Sequence, residues 1–75
     1  MKRDDRYDKL QKLLISHRKK LGITQKTLSE ALGKPQSYIS KYETGERRID
    51  VIELIDICDE LGVPFYNLIR EVTKK

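Results

Sequence analysis

The sequence has little that could form a disulfide, a membrane span or a strand-rich core. Cys58 is the single cysteine among 75 residues, so an internal disulfide is excluded. No apolar run reaches the length of a membrane helix or of a secretory h-region, which predicts a cytoplasmic protein without a membrane partner. Glycine and proline together occupy six positions, and no alternating strand pattern occurs. These absences favour one small helical domain.

Groups that could support catalysis are equally scarce. His17 is the only histidine and has no cysteine or carboxylate cluster at ligand spacing, so no metal site is expected there. Ser16, Ser29 and Ser40 lack the nearby histidine and acid that would activate a hydroxyl, and no glycine-rich phosphate loop is present. We therefore expect no enzyme activity, no cofactor and no small-molecule ligand.

The charge of the chain is distributed unevenly. Residues 1–48 contain 13 Lys or Arg against 6 Asp or Glu, whereas residues 49–75 contain 3 against 6. The excess of positive charge in the first part is typical of a surface that meets a polyanion, and the acidic last part is typical of one that faces solvent or another protein. An ordinary solvated surface is the alternative explanation.

Apolar residues recur at helical spacing in five segments separated by glycine or proline. Thr24 is placed to cap the second segment, Pro35 suits a first helical turn, and Asp50 with Glu53 forms a capping-box pattern. The charged residues 1–7 are predicted to be a flexible arm, and residues 8–75 the domain. The predicted helices lie between Asp8 and Leu21, Thr24 and Gly33, Pro35 and Thr44, Asp50 and Gly62, and from Pro64 onward.

The second and third segments have the pattern of a helix-turn-helix. Ser29 is small enough for two helices to approach, Gly33 permits the turn, and Ile39 can anchor the second helix. The stretches LGITQKTLSEALGKPQSYISKYETGERRIDVIEL and CDELGV resemble the phage Cro/C1 repressor type of helix-turn-helix, the Xre family of bacterial regulators. The resemblance covers about residues 10 to 69.

This resemblance implies an all-α, compact five-helix bundle of the lambda-repressor-like type, whose third helix enters the major groove of an operator in double-stranded DNA. Glutamine can bind adenine bidentately and lysine can donate to guanine, so the outward residues of that helix are the candidates for base readout. Arg18 and Glu43 correspond to a family pair that positions the third helix. A direct phosphate contact or a solvated side chain is the alternative for Arg18. The candidates for base readout are Gln36, Ser37, Ser40 and Lys41, and those for phosphate contact are Gln25, Lys26, Tyr38, Arg47 and Arg48.

The last two helices contain more apolar residues than one inward face requires. Such a surplus indicates either an interface or core residues covered by the tail. We expect a homodimer through Ile52, Ile55, Tyr66 and Ile69, which would place two reading helices on two half-sites.

The predicted function is a sequence-specific DNA-binding transcriptional regulator, a repressor that acts as a homodimer and is nucleoid-associated when bound. A phage repressor, a controller of a restriction-modification operon and a chromosomal regulator share this pattern. The alternative of another class is a protein-binding module such as an antitoxin. RNA binding is less favoured because exposed stacking aromatics are few.

Overall fold

Five α-helices joined by short turns make up residues 5–74, which are the part of the chain that the computed structural model describes. No strand occurs within these residues. The predicted all-α, five-helix fold is confirmed. The helices are α1 (Asp5–Lys20), α2 (Gln25–Leu32), α3 (Gln36–Thr44), α4 (Val51–Leu61) and α5 (Phe65–Thr73).

The helix ends follow the capping signals of the sequence. The Thr24 hydroxyl accepts a hydrogen bond from the Thr27 amide at 3.0 Å and so begins α2. Asp50 accepts from the Glu53 amide at 2.8 Å, while the Glu53 carboxylate accepts from the Asp50 amide at 3.0 Å. This reciprocal capping box begins α4. Gly33 ends α2 in the left-handed region, with φ 67°, which residues with a Cβ rarely adopt.

Helix α1 begins three residues before the predicted start at Asp8. Asp5 and Asp8 both lie in its first turn, where negative charge interacts favourably with the helix dipole. Tyr7 is fixed further by its hydroxyl, which donates a hydrogen bond to the Arg47 carbonyl and accepts one from the Ile49 amide in the segment that follows α3. Residues 5–7 of the predicted arm thus form the start of α1, and its first four residues lie outside the described part of the chain.

The core draws on all five helices. Every one contributes at least one side chain that is essentially inaccessible, and full burial of each such aliphatic side chain is worth about 1.5–3 kcal/mol. Leu21, the last residue of the first predicted helix, instead lies in the turn after α1 and is 52% exposed. The buried hydrophobic residues are Leu14, Leu28, Tyr38, Ile39, Tyr42, Leu54, Ile57, Cys58, Leu61 and Leu68.

Two further features of the described residues concern the cysteine and the helix lengths. The Cys58 thiol is buried, and that burial raises its pKa, which disfavours the reactive thiolate. Within residues 5–74, no helix combines the length and apolar character needed to cross a bilayer.

Candidate nucleic-acid interface

Helix α3 has two sharply different faces. Tyr38, Ile39, Tyr42 and Glu43 are all buried, and their spacing places them on the side that packs against α1 and α2. The opposite side carries Gln36, Ser37, Ser40, Lys41 and Thr44, all of them exposed except Ser40, which is half-buried. The residues predicted to read bases therefore share one accessible helix face.

A buried network of side chains fixes the inner face of α3. Arg18 on α1 donates from Nε to Glu43 Oε2 at 2.7 Å and from Nη2 to Glu43 Oε1 at 3.0 Å. A third Arg18 donor, Nη1, reaches the carbonyl of Ile23 in the turn before α2, at 2.9 Å. The hydrogen bonds to Glu43 raise the pKa of the Arg18 guanidinium. The pair thus joins α1, the α1–α2 turn and α3, a suitable geometry for positioning.

Gln25 at the beginning of α2 belongs to the same network. Its side-chain nitrogen donates to Glu43 Oε1 at 2.9 Å, which links the first turn of α2 to α3. An amide nitrogen has a second N–H, and the backbone N–H groups of a first helical turn favour anions. Gln25 can therefore orient α3 and remain available to a phosphate at the start of α2.

The end of α3 is held by a residue that sequence reasoning missed. Gln11 on α1 donates from Nε2 to the carbonyls of Tyr42 and Glu43, both at 3.3 Å. These carbonyls lie in the last turn of α3, where intrahelical donors run out. Gly45 follows with φ 86°, and a Cβ there would lie 3.0 Å from the Gln11 side-chain nitrogen. A glycine at this position lets the glutamine approach.

Tyr38 and Arg47 form a compact cluster with Glu53. The Arg47 guanidinium donates to both Glu53 oxygens, at 3.0 and 2.8 Å, and lies 4.7 Å from the centre of the Tyr38 ring. Hydrogen bonds from Arg47 and from the Asp50 amide lower the pKa of Glu53 to about 2. Burial and the neighbouring Glu53 raise the pKa of Tyr38 to about 12. The cluster ties the first turn of α3, through the loop residue Arg47, to the start of α4.

This cluster contains two predicted phosphate contacts, Tyr38 and Arg47. The Tyr38 side chain is buried beneath Arg47, an environment that favours packing over contact with a phosphate. Arg47 is half-buried, and its bidentate pair with Glu53 uses two of its five donors. The sequence alone could not show that an arginine nine residues later would cover the Tyr38 ring.

The remaining basic residues near α3 are exposed. Lys26 lies in the first turn of α2, and Lys41 lies on the outward face of α3. Lys34, in the turn between these helices, has its ammonium 5.4 Å from the Tyr38 ring centre. Arg48 lies in the α3–α4 loop (residues 45–50), with its guanidinium 4.8 Å from the centre of the Tyr7 ring. Lys26 and Arg48 thus remain accessible to phosphate, and Lys34 joins them as a candidate that was not predicted.

The predicted dimer residues have different environments. Ile52 is 64% exposed, Ile55 42% and Tyr66 82%. Val51 is also exposed and lies four residues before Ile55, so α4 presents an apolar strip of Val51, Ile52 and Ile55. Ile69 is instead half-buried and packs against the core. Sequence spacing could not distinguish the exposed apolar residues from those packed against the core, because both faces of a short helix can be apolar.

The described residues contain no cluster of side chains suited to holding a metal ion. Between Asp5 and Lys74 no three His, Cys, Asp or Glu side chains come together as metal ligands. The prominent feature is the polar, accessible face of α3 with basic residues around it.

Comparisons with known proteins agree with this geometry. The helix-turn-helix family matches residues 14–68. The structure is similar to that of an XRE-family like protein from Pseudomonas syringae pv. tomato str. DC3000, with a TM-score of 0.86 and 48% sequence identity over 89% of this chain and 82% of that one. No curated protein matches the chain. The chain thus belongs to the Cro/C1-type helix-turn-helix family, the XRE family of DNA-binding regulators.

Proposed function

We propose that the protein is a sequence-specific transcriptional repressor that binds a palindrome-like DNA operator as a homodimer, with α3 in the major groove. The observation that carries this proposal is the two-faced α3. Its inner face is fixed by Arg18, Glu43 and Gln11, while its outer face keeps Gln36, Ser37 and Lys41 accessible. A rigid helix with exposed donors and acceptors suits direct readout of base edges, because the donors need little reordering on binding.

Phosphate contacts complete the proposed interface. Gln25 and Lys26 at the start of α2 and Arg48 after α3 are the proposed phosphate contacts, and contacts of this kind fix the register of a reading helix in the groove. Repression is the proposed output because a bound dimer on promoter DNA can exclude other proteins without any further contact. The proposed location is cytoplasmic, on the nucleoid when DNA is bound.

Selection of duplexes from a random DNA pool tests the proposal directly. We expect a two-fold-symmetric consensus whose half-sites are about 34 Å apart along the helix axis. Affinity for the selected duplex should fall steeply with salt, since each neutralised phosphate releases counterions. Selection that enriches no sequence above non-specific binding would contradict the proposal. A promoter fusion that carries the consensus then distinguishes repression from activation.

A second function is favoured by one observation, the exposed apolar strip of Val51, Ile52 and Ile55 on α4. In an antitoxin-like module, this strip would bind a different protein instead of a second copy of the same chain. The mass of the complex purified from native extract separates the two, because a homodimer has twice the mass of the chain and a heterodimer does not.

A further inference from the structure

Tyr7 makes three contacts with the α3–α4 loop, one with Arg48 and one with each residue next to it. Its hydroxyl accepts a hydrogen bond from the Ile49 amide at 2.8 Å and donates one to the Arg47 carbonyl at 3.3 Å. Its ring lies 4.8 Å from the carbon at the centre of the Arg48 guanidinium. One side chain near the start of α1 therefore holds the backbone before and after Arg48 and also supports its side chain, although about 40 residues separate them in sequence.

The phenol group suits this role because it can donate and accept at once. The Ile49 amide and the Arg47 carbonyl lie outside the helices, so neither has a partner within regular secondary structure. A tyrosine hydroxyl satisfies both, whereas phenylalanine satisfies neither. The ring attracts the guanidinium through its π face, which leaves the in-plane N–H groups of Arg48 free for another acceptor.

We propose that Tyr7 is a positioning residue that presents Arg48 to a DNA phosphate. The inference rests on the proposed function, since it specifies how one of its phosphate contacts is prepared. Ordering an arginine on binding costs side-chain entropy, and a guanidinium already stacked on a ring loses less of it. Tyr7, Gln11 and Arg18 also share one face of α1 at helical spacing, so the same face that orients α3 fixes the neighbouring arginine.

The first test requires no DNA. Tyr7→Phe keeps the ring and removes the hydroxyl, and Tyr66→Phe is the matched control because Tyr66 is 82% exposed. Native-state hydrogen exchange of the Ile49 amide should become about tenfold faster in Tyr7→Phe and remain unchanged in the control. Exchange at Ile49 that is the same in Tyr7→Phe and in the parent protein would overturn the proposal.

The second test is a double-mutant cycle with Arg48→Ala on DNA. Tyr7→Phe should weaken binding to the selected operator and to random duplex by the same factor, about twofold to tenfold, because a phosphate contact is insensitive to sequence. In the Arg48→Ala background the same change should have no further effect. An equal loss in both backgrounds would overturn the positioning role. If the parent protein bound no DNA while Ile49 exchange still responded, the proposed function would fail and the loop anchor would stand.

Discussion

Glu43 illustrates how a single residue connects the core to the reading surface. Its carboxylate is buried on the inner face of α3 and accepts hydrogen bonds from Arg18 and Gln25. A buried charge is tolerated only when it is paired and hydrogen-bonded. Because the donors come from α1 and α2, the arrangement is satisfied only when α3 lies at one angle to both helices.

Removal of Arg18 tests this dependence. Arg18→Ala leaves the Glu43 carboxylate buried with Gln25 as its remaining side-chain donor, and we expect a loss of about 3–5 kcal/mol in the free energy of unfolding. Urea denaturation measures it, with Lys19→Ala as the control because Lys19 is exposed on the same helix. The double variant Arg18→Met with Glu43→Leu should recover most of the loss, since no charge is then unpaired. A double variant as unstable as Arg18→Ala would refute this explanation.

Tyr42 presents the opposite case, a buried polar atom without a partner. Its ring is fully buried, and its hydroxyl has no hydrogen-bond partner among residues 5–74. The same burial raises the pKa of the phenol well above its usual value. Tyr42→Phe removes the unpaired group and keeps the ring, so we expect the free energy of unfolding to rise by about 1 kcal/mol. The free energy of unfolding of Tyr38→Phe serves as the comparison. A fall in the free energy of unfolding of Tyr42→Phe would indicate that the Tyr42 hydroxyl has a partner.

At the scale of elements, the start of α4 is coupled to the loop before it through Glu53. The carboxylate closes the capping box and pairs with Arg47, and these hydrogen bonds lower the pKa of Glu53 to about 2. The unfolded chain binds a proton at this carboxyl near pH 4.5, whereas the folded chain does so only near pH 2. The stabilisation is therefore complete above about pH 4.5 and is lost as the pH falls toward 2.

The variant Glu53→Gln should remove this contribution to acid sensitivity. We expect the slope of unfolding free energy against pH between pH 2 and 4.5 to become shallower than in the parent protein, as followed by denaturation at several pH values. Glu60→Gln is the control, because Glu60 is exposed on the same helix and far from Arg47 in sequence. Equal slopes for the parent protein and Glu53→Gln would show that the pair does not persist in solution.

Substitutions on helix α3 should distinguish contacts with bases from contacts with phosphates. Gln36→Ala and Lys41→Ala should each weaken binding to the selected operator by about 1–3 kcal/mol and have little effect on random duplex. Lys12→Ala serves as the control, because this exposed lysine lies on α1. Binding to both duplexes can be followed by fluorescence anisotropy at one salt concentration. Equal losses on both would reassign the two residues to phosphate.

The features that the sequence predicted depend on residues close together in the chain, whereas those that it missed depend on residues far apart in the chain. The Thr24 cap and the Asp50–Glu53 capping box are set by residues three apart, so local spacing was enough to predict the limits of α2 and α4. Contacts of Tyr7 with the α3–α4 loop and of Gln11 with the end of α3 span more than 30 residues. Only the folded arrangement of α1 against α3 brings these residues together.

For the molecule as a whole, charge and apolar exposure are divided along the chain. The basic residues Lys26, Lys41 and Arg48 accompany α2, α3 and the following loop, whereas α4 carries Asp56, Asp59 and Glu60 beside its apolar strip. Exposed isoleucines among acidic residues are unfavourable against a polyanion but suit contact with a protein. This division supports the proposal that α2, α3 and the following loop contact DNA while α4 contacts a protein.

Dimer formation through α4 gives the last prediction. Ile52→Arg would place an unpaired charge in the proposed interface, which should weaken self-association by about 2–5 kcal/mol, because buried charges without partners are costly. Leu21→Arg is the matched control, since Leu21 is 52% exposed but lies in the turn after α1. Ile69 is unsuitable for this test, because it packs against the core. Sedimentation equilibrium should show a monomer for Ile52→Arg and a dimer for Leu21→Arg.

Because one reading helix contacts only one half-site, the monomer should also lose its preference for the symmetric operator over a half-site duplex. A dimer that persists in Ile52→Arg would exclude the α4 strip as the interface and favour the protein-partner function.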